Sequence, residues 1–219
     1  TAMYLAEANF ADVVMVDIAD DAVAQFGGTF PFPRGVYGTF IDAARALGAA
    51  EIVFDVHLSR PLEKKSDAFL GEMAAEAGNV YFPLQFLPAE AVDGEVSNPP
   101  HDSLIARFAW PVALPSEHEG AQTAVMFTKP LEPARRNAAG MGFINTVDDP
   151  DGVSRRTPIL MRYRGRMFPQ LCLPAVTHFL GVEPKHVLWF PGEELVLQQA
   201  QVGDTVRDIV IPLDKSDNM

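Results

Sequence analysis

A single cysteine, Cys172, stands in 219 residues, which excludes an internal disulfide framework and any paired-cysteine metal site. Basic residues are also short: seventeen Lys and Arg against twenty-nine Asp and Glu leave a net charge of -12. A nucleic-acid binder needs a basic surface to neutralise phosphates, and no Lys/Arg run here exceeds two, so that partner class is excluded. No apolar stretch approaches the ~20 residues that cross a bilayer. Thr1 to Phe10 has neither the basic start nor the apolar core of a secretory signal, so the chain reads as a soluble segment. A GxxxxGKS phosphate loop and a GxSxG elbow are both missing. Ser59, Ser66, Ser103, Ser116 and Ser154 have no His/Asp pair arranged around them in sequence.

What is present is an ordinary globular composition, 48% apolar and 21% charged. At ~150 residues per domain the length suggests one large domain, and such a chain buries roughly 70% of its extended surface.

Val13 to Ile18 is β-branched and apolar on both faces, which predicts a buried parallel strand. Asp20 or Asp21 can cap a short helix over Ala22 to Phe26, stopped by Gly27-Gly28. Pro31 and Pro33 forbid a ladder and fix an extended turn. Val36 to Leu47 has helical spacing. Ile52 to Val56 reads as a second strand, and a helix capped by Ser66 or Asp67 runs to Gly78. Val80 to Leu87 is a third strand, with Pro83 pointing to an edge or a bulge.

Residues 88–122 are Pro-rich and weakly periodic, and part of this stretch is expected to pack or to hold a short helix. Thr123 to Phe127 suggests a strand and Pro130 to Ala139 a short helix. Gly142 to Val147 and Val153 to Tyr163 suggest an antiparallel hairpin turning at Asp151-Gly152. A further turn at Arg164-Gly165, a helix over Leu171 to Leu180, and strands near 187–190, 195–197 and 209–211 complete the chain. The expected fold is α/β: a mixed sheet, parallel βαβαβ in its first half, with an antiparallel hairpin and strands in its second half and helices on both faces.

Carboxyl ends of parallel strands open onto ligand crevices. Asp17, Asp20 and Asp55 would lie there, able to hold a hard cation, to do acid–base work, or simply to cap helices and loop amides. A phosphatase of the haloacid-dehalogenase type needs a second Asp two residues after the first, and Ala19 occupies that place. Asp55 and His57 share a strand face. The other histidines are scattered without ligand spacing, so no metal site is assigned and no cofactor is implied. Arg34 offers a fork for an internal carboxylate or a bound anion. Arg155 and Arg156, on one strand, would point to opposite faces, one paired inside the domain and one in solvent. Gly140-Met141-Gly142 lacks the rest of a dinucleotide fingerprint.

Four ordered motifs, VVMVDIADDAV (13–23), FPFPRGVYGTFID (30–42), AAEIVFDVHLSRP (49–61) and GMGFINTVDDPDGVSRRTPILMRYRGRMFPQLCL (140–173), resemble a CHASE2 domain. Ala19 replaces a usual aspartate, Phe30 and Phe32 stand where tryptophan is favoured, and Gly35 where Ser is frequent. The resemblance implies an extracytoplasmic, periplasmic sensor of a bacterial inner-membrane receptor, non-enzymatic itself. The parent would carry a cytoplasmic output, commonly a class III nucleotide cyclase or a histidine kinase.

On that reading, residues 1–12 are a membrane-proximal segment, 13–213 the sensor domain, and 214–219 lead toward a membrane helix. The two ends of the chain would lie on one side of the domain. Asp17, Asp20, Arg34, Asp55 and His57 are the ligand-binding candidates, and Pro31, Pro33, Asp151, Gly152, Arg155 and Arg156 are structural motif residues. The expected partners are a small-molecule ligand or a periplasmic protein, and a second copy in a homodimer, for which Leu171, Ala175, Val176, Phe179 and Leu180 offer an apolar arc. The alternatives are a metal-assisted hydrolase built on Asp17, Asp20 and Asp55, or a ligand-free dimerisation scaffold.

Overall fold

Val80–Pro88 (β2) organises the sheet, because alternate residues of a strand offer their backbone groups to opposite edges. In the computed structural model, residues 13–88, 103–113, 122–146, 149 and 151–219 are described. They fall into two compact units divided between Phe32 and Pro33. In the first unit Val13 to Ile18 is not a strand. Val13 to Val16 are exposed, Met15 at 90%, because β-branching makes a strand only where a neighbour supplies hydrogen bonds. The expected first parallel strand is therefore corrected. Asp20–Gln25 (α1) follows, two residues earlier than expected, and the Phe30–Pro31 peptide bond is cis.

The second unit begins with Arg34–Ala46 (α2), entered from Pro33. Gly38 lets α2 lie against Lys64–Ala77 (α3): a Cβ there would sit 2.7 Å from the Phe69 ring. The α3 helix starts before the expected caps, and both side chains serve elsewhere. Ser66 Oγ accepts the Gly35 N–H at 2.6 Å, and Asp67 accepts that of Leu62 at 3.1 Å. Gly78 ends α3 in the left-handed region, as its sequence position suggested.

Ile52–Val53 (β1), shorter than expected, pairs in parallel with the start of β2. Asn79 and Tyr81 carbonyls accept from Ile52 and Phe54 on this edge. The opposite edge takes Gly140–Phe143 (β4), also parallel, with Ala139 N–H on Val80 O and Ile144 N–H on Leu84 O. Pro83 falls on the β1 edge beyond the end of β1 and before Thr123–Thr128 (β3), which pairs antiparallel from Gln85 onward. Its missing N–H therefore faces a gap in the ladder, a local edge inside a central strand.

Among the described residues, the expected hairpin over residues 142–163 is not formed. Leu160–Tyr163 (β5) pairs instead with β3 in parallel and with Arg166–Pro169 (β6) antiparallel. The tight turn is Arg164-Gly165, both at positive φ (50 and 70). A single parallel bridge between Phe143 and Gln170, with the Leu171 N–H on Phe143 O at 2.9 Å, brings β6 back to β4. The ring β4-β2-β3-β5-β6 thus closes at one bridge. Phe86, fully buried, sits among Phe127, Phe143, Tyr163 and Phe168 at 5.4–6.2 Å between ring centres.

Gly142 makes the closure possible, since a Cβ there would lie 2.6 Å from Leu171 Cα. Gly140 likewise faces the Tyr81 ring at 2.7 Å. The two glycines of Gly140-Met141-Gly142 are packing residues.

Ser103–Ala106 (α4) is the short helix expected within the Pro-rich stretch, of which 89–102 and 114–121 lie outside the described residues. Glu132–Asn137 (α5) lies close to α3 at Gly71, where a Cβ would stand 2.8 Å from Pro133. Cys172–Phe179 (α6) ends at Gly181, with Pro174 in its first turn. Leu173 and Ala175 are buried while Val176 and Phe179 are exposed, so the broad apolar arc of this helix is only partly covered.

A second, antiparallel sheet contains Val187–Phe190 (β7), Glu194–Val202 (β8) and Thr205–Pro212 (β9). Its inner face packs Trp189, Leu195 and Leu197 against Trp110, Ile159, Met167 and Val182. The fold is the mixed α/β class read from the sequence, with parallel and antiparallel pairing in one sheet.

Residues 214–219 are hydrogen-bonded into the second unit. Thr157 and Met219 exchange two backbone bonds, and Asp217 accepts from Trp189 Nε1 at 3.1 Å and Gly192 N at 2.7 Å. Thr1 lies outside the described residues, so the relation of the two chain ends does too.

Candidate functional site

The candidates named from sequence separate in space. Asp17 and Asp20 belong to the first unit, where both are exposed. Arg34 is 1% exposed and directs Nη2 to Arg60 O at 2.9 Å. Burial lowers its pKa, against Tyr37 and Asp67, whose charges favour the cation. Arg34 is therefore an internal clasp between the start of α2 and the loop before α3.

Asp55 and His57 were expected on one strand face. The strand ends at Val53, and the two side chains part: His57 Nε2 is 3.0 Å from Thr128 O. Asp55 acts on Cys172, whose thiol is pushed up first by partial burial and further by that carboxylate. Among the described residues no group of three or more His, Cys, Asp or Glu is placed to hold a metal ion.

Arg155 and Arg156 are corrected as well. They lie outside any named strand, and both reach Asp149, Arg155 Nη1 at 3.4 Å. Arg155 also pairs with Asp151 at 2.8 Å, and Arg156 with Asp214 at 3.2 Å. Hydrogen bonds from Arg156, then Arg155, hold the Asp149 carboxyl below its ordinary range. Burial pushes Asp214 up, but bonds from Asn218, Ser216 and Arg156 outweigh it and the net shift is downward. This cluster ties the 149–156 turn to the 214–219 segment, and Asp151-Gly152 is its turn.

A concave site lies elsewhere and involves none of these residues. A cleft of about 440 Å³ opens between β4, α6 and residues 107–110. Tyr81, Phe108, Trp110, Met141, Pro174 and Val182 form its apolar walls, and Arg107, His178 and Glu183 its polar rim. Each rim group is held. Arg107 donates to the carbonyls of Arg135, Arg136 and Ala138 at 3.0–3.1 Å, and its guanidinium lies 4.4 Å from the Phe108 ring centre. It thereby caps the carboxyl end of α5, where cations are favoured.

His178 Nδ1 meets Glu51 Oε1 at 2.7 Å, with the Glu51 side chain only 14% exposed. Burial, and then the Glu51 carboxylate, raise the Tyr81 phenol well above its ordinary pKa, so it stays a neutral donor. The arrangement is that of a small-molecule site: aromatic walls with a few fixed polar groups. Sequence reasoning missed it because Glu51 and His178 are 127 positions apart. Of the lining, Gly140 and Met141 stood out in sequence as part of a Gly-Met-Gly spacing and His178 as one of the scattered histidines, and neither pointed to a cleft.

A family model described as the CHASE2 domain matches residues 1–218, essentially the whole chain. No curated protein and no solved structure matches it. No helix among the described residues is long and apolar enough to cross a membrane.

Proposed function

The chain belongs to the CHASE2 family, a family of extracellular sensory domains, and from that premise we propose that it is the ligand-binding input domain of a bacterial transmembrane receptor. The observation that carries the reading is the aromatic-walled cleft of about 440 Å³ with its His178–Glu51 rim. In this proposal a small molecule with a flat apolar body enters between Trp110, Tyr81 and Pro174, with its polar end at His178 and Arg107. Its effect depends on unequal affinity for two arrangements of the walls, since equal affinity shifts nothing. The wall expected to respond is α6, whose C-terminal turn His178 ties to Glu51 next to β1, just before the helix ends at Gly181.

In the receptor the domain is the periplasmic part, paired as a homodimer. It drives a cytoplasmic output of the nucleotide-cyclase or histidine-kinase kind through flanking membrane helices. The domain itself performs no catalysis.

The test is a thermal-shift screen of small metabolites on wild type and on Ala139→Trp, which places an indole in the cleft from an exposed position. A ligand at a hundredfold excess over Kd stabilises by about 2.7 kcal/mol. For a chain of this size that is roughly 5–11 °C. The shift should vanish in Ala139→Trp and shrink in His178→Ala. A hit that shifts both variants as it shifts wild type refutes the cleft, and the lack of any hit favours the ligand-free scaffold.

A further inference from the structure

A second cavity, of about 240 Å³, lies between α4 and the β5–β6 hairpin. Its apolar wall is Ile105, Phe127, Tyr163 and Phe168, and Arg164 and Arg166 stand beside them. The rings are fixed: Phe127 and Tyr163 meet edge to face at 5.1 Å, and Phe168 lies 6.3 Å from Tyr163. They belong to the aromatic set around Phe86, so the wall is as rigid as the core.

The charge beside it is unusual in a chain of net -12: Arg162, Arg164 and Arg166 fall within five residues that contain no acid. Two of them are turned to neutral oxygens, which leaves their charge uncompensated by that contact. Arg166 Nη1 donates to Ala106 O at 3.2 Å, and Arg162 to Thr123 Oγ1 at 3.1–3.2 Å. Arg164 occupies a turn position at φ 50, where Asn, Asp or Gly is ordinarily preferred. Its guanidinium lies 5.5 Å from the Tyr163 ring centre. A long cation at a position that disfavours it is the kind of local conflict expected at functional sites.

We propose that this cavity binds a small organic anion, a carboxylate carried on a flat apolar body. The body lies against Phe127, Tyr163 and Phe168, and the carboxylate faces the Arg166 fork, whose geometry matches it. At about 240 Å³ the cavity is below the usual range for drug-sized ligands, which restricts the class to one ring or a short chain. Inorganic phosphate would find the charge but gain nothing from the rings. The site is separate from the cleft at His178 and stands or falls independently of it.

Isothermal titration at low salt with benzoate, benzylamine and inorganic phosphate tests it. Benzoate should bind saturably and the other two at least tenfold more weakly. Arg166→Gln should weaken benzoate at least tenfold. Ala106→Phe, which fills the cavity, should abolish binding while circular dichroism reports a folded chain. Arg207→Gln, an exposed arginine of β9 outside the cavity lining, should bind as wild type does. Benzylamine or phosphate binding as well as benzoate, or unchanged benzoate binding in both Arg166→Gln and Ala106→Phe, overturns the proposal. So does loss of benzoate binding in Ala139→Trp, which would place the anion in the other cleft. Arginine-dependent adsorption to phosphatidylglycerol vesicles without benzoate binding overturns it in favour of a lipid surface.

Discussion

Asn145 extends β4 by one residue with its side chain: Oδ1 accepts the Phe86 N–H at 2.9 Å and Nδ2 donates to Phe86 O at 2.6 Å. Both backbone groups belong to a residue with no exposed surface. Removing the amide leaves a buried donor and a buried acceptor unmatched, each costing about 1–3 kcal/mol. Asn145→Ala should therefore lose roughly 3 kcal/mol, or about 6–12 °C in Tm for a chain of this length.

Asn145→Asp is the sharper test, because it keeps the shape and changes one partner. The carboxylate still accepts from Phe86 N–H, but its second oxygen now faces the Phe86 carbonyl, where no donor remains. The protonated acid restores that bond, so its pKa in the folded chain is raised above the unfolded value of about 3.9. Between those two values the native state binds more protons than the unfolded state, so stability falls as pH rises through the window. Asn145→Asp should approach wild type below about pH 4 and lose stability toward neutrality, whereas the Asn145→Ala deficit should hardly vary with pH. Urea melts at half-unit steps from pH 4 to 8 provide the comparison. Parallel curves for the two variants would refute the account of Asn145 as a two-bond extension of the strand.

Gly142→Ala should be more damaging than Gly140→Ala. Its Cβ meets only backbone atoms, at 2.6–2.7 Å, whereas the Gly140 neighbours are the Tyr81 and Pro174 side chains. Overpacking of this kind costs about 1–3 kcal/mol or more, and equal melting temperatures would contradict it. Arg156→Gln should raise the pH of acid unfolding. Asp149 and Asp214 have lowered folded pKa values, so their stabilisation is present above the unfolded pKa and lost as pH falls through the folded one. An unchanged acid midpoint would count against the cluster. The Cys172 thiol, pushed up by partial burial and by Asp55, should react with a disulfide reagent more slowly at pH 8 than a free thiol, and faster in Asp55→Asn. A rate unaffected by Asp55→Asn would separate the two residues.

Local chemistry accounts for what was legible in the chain. Helices α2, α3 and α6 follow from 3.6-residue apolar spacing and from Gly78 and Gly181 as terminators, features contained within a single element. The strands of the second sheet follow from short apolar runs between turns, and the family follows from four motifs in order. Pairing is another matter, because it requires two segments. Val13 to Ile18 has strand composition and is not a strand, and among the described residues β4 pairs with β2 and β5 with β3 and β6, not with each other across the Asp-Gly turn. The pairing of β4 and β5 depends on which edge of β2 is open and on a closure that a Cβ at Gly142 would block. The sites behaved in the same way. Arg34, His57 and the Arg155-Arg156 pair were visible as residue types, but their partners, Arg60, Thr128 and Asp149, were not. The cleft at Tyr81, Trp110 and His178 exists only because β4, α6 and residues 107–110 converge, and the Glu51–His178 pair because the fold closes 127 residues of separation to 2.7 Å. Periodicity and turn chemistry act over a few residues and can be read from the chain. A ligand site is a meeting of distant segments, and tertiary packing decides which of them meet.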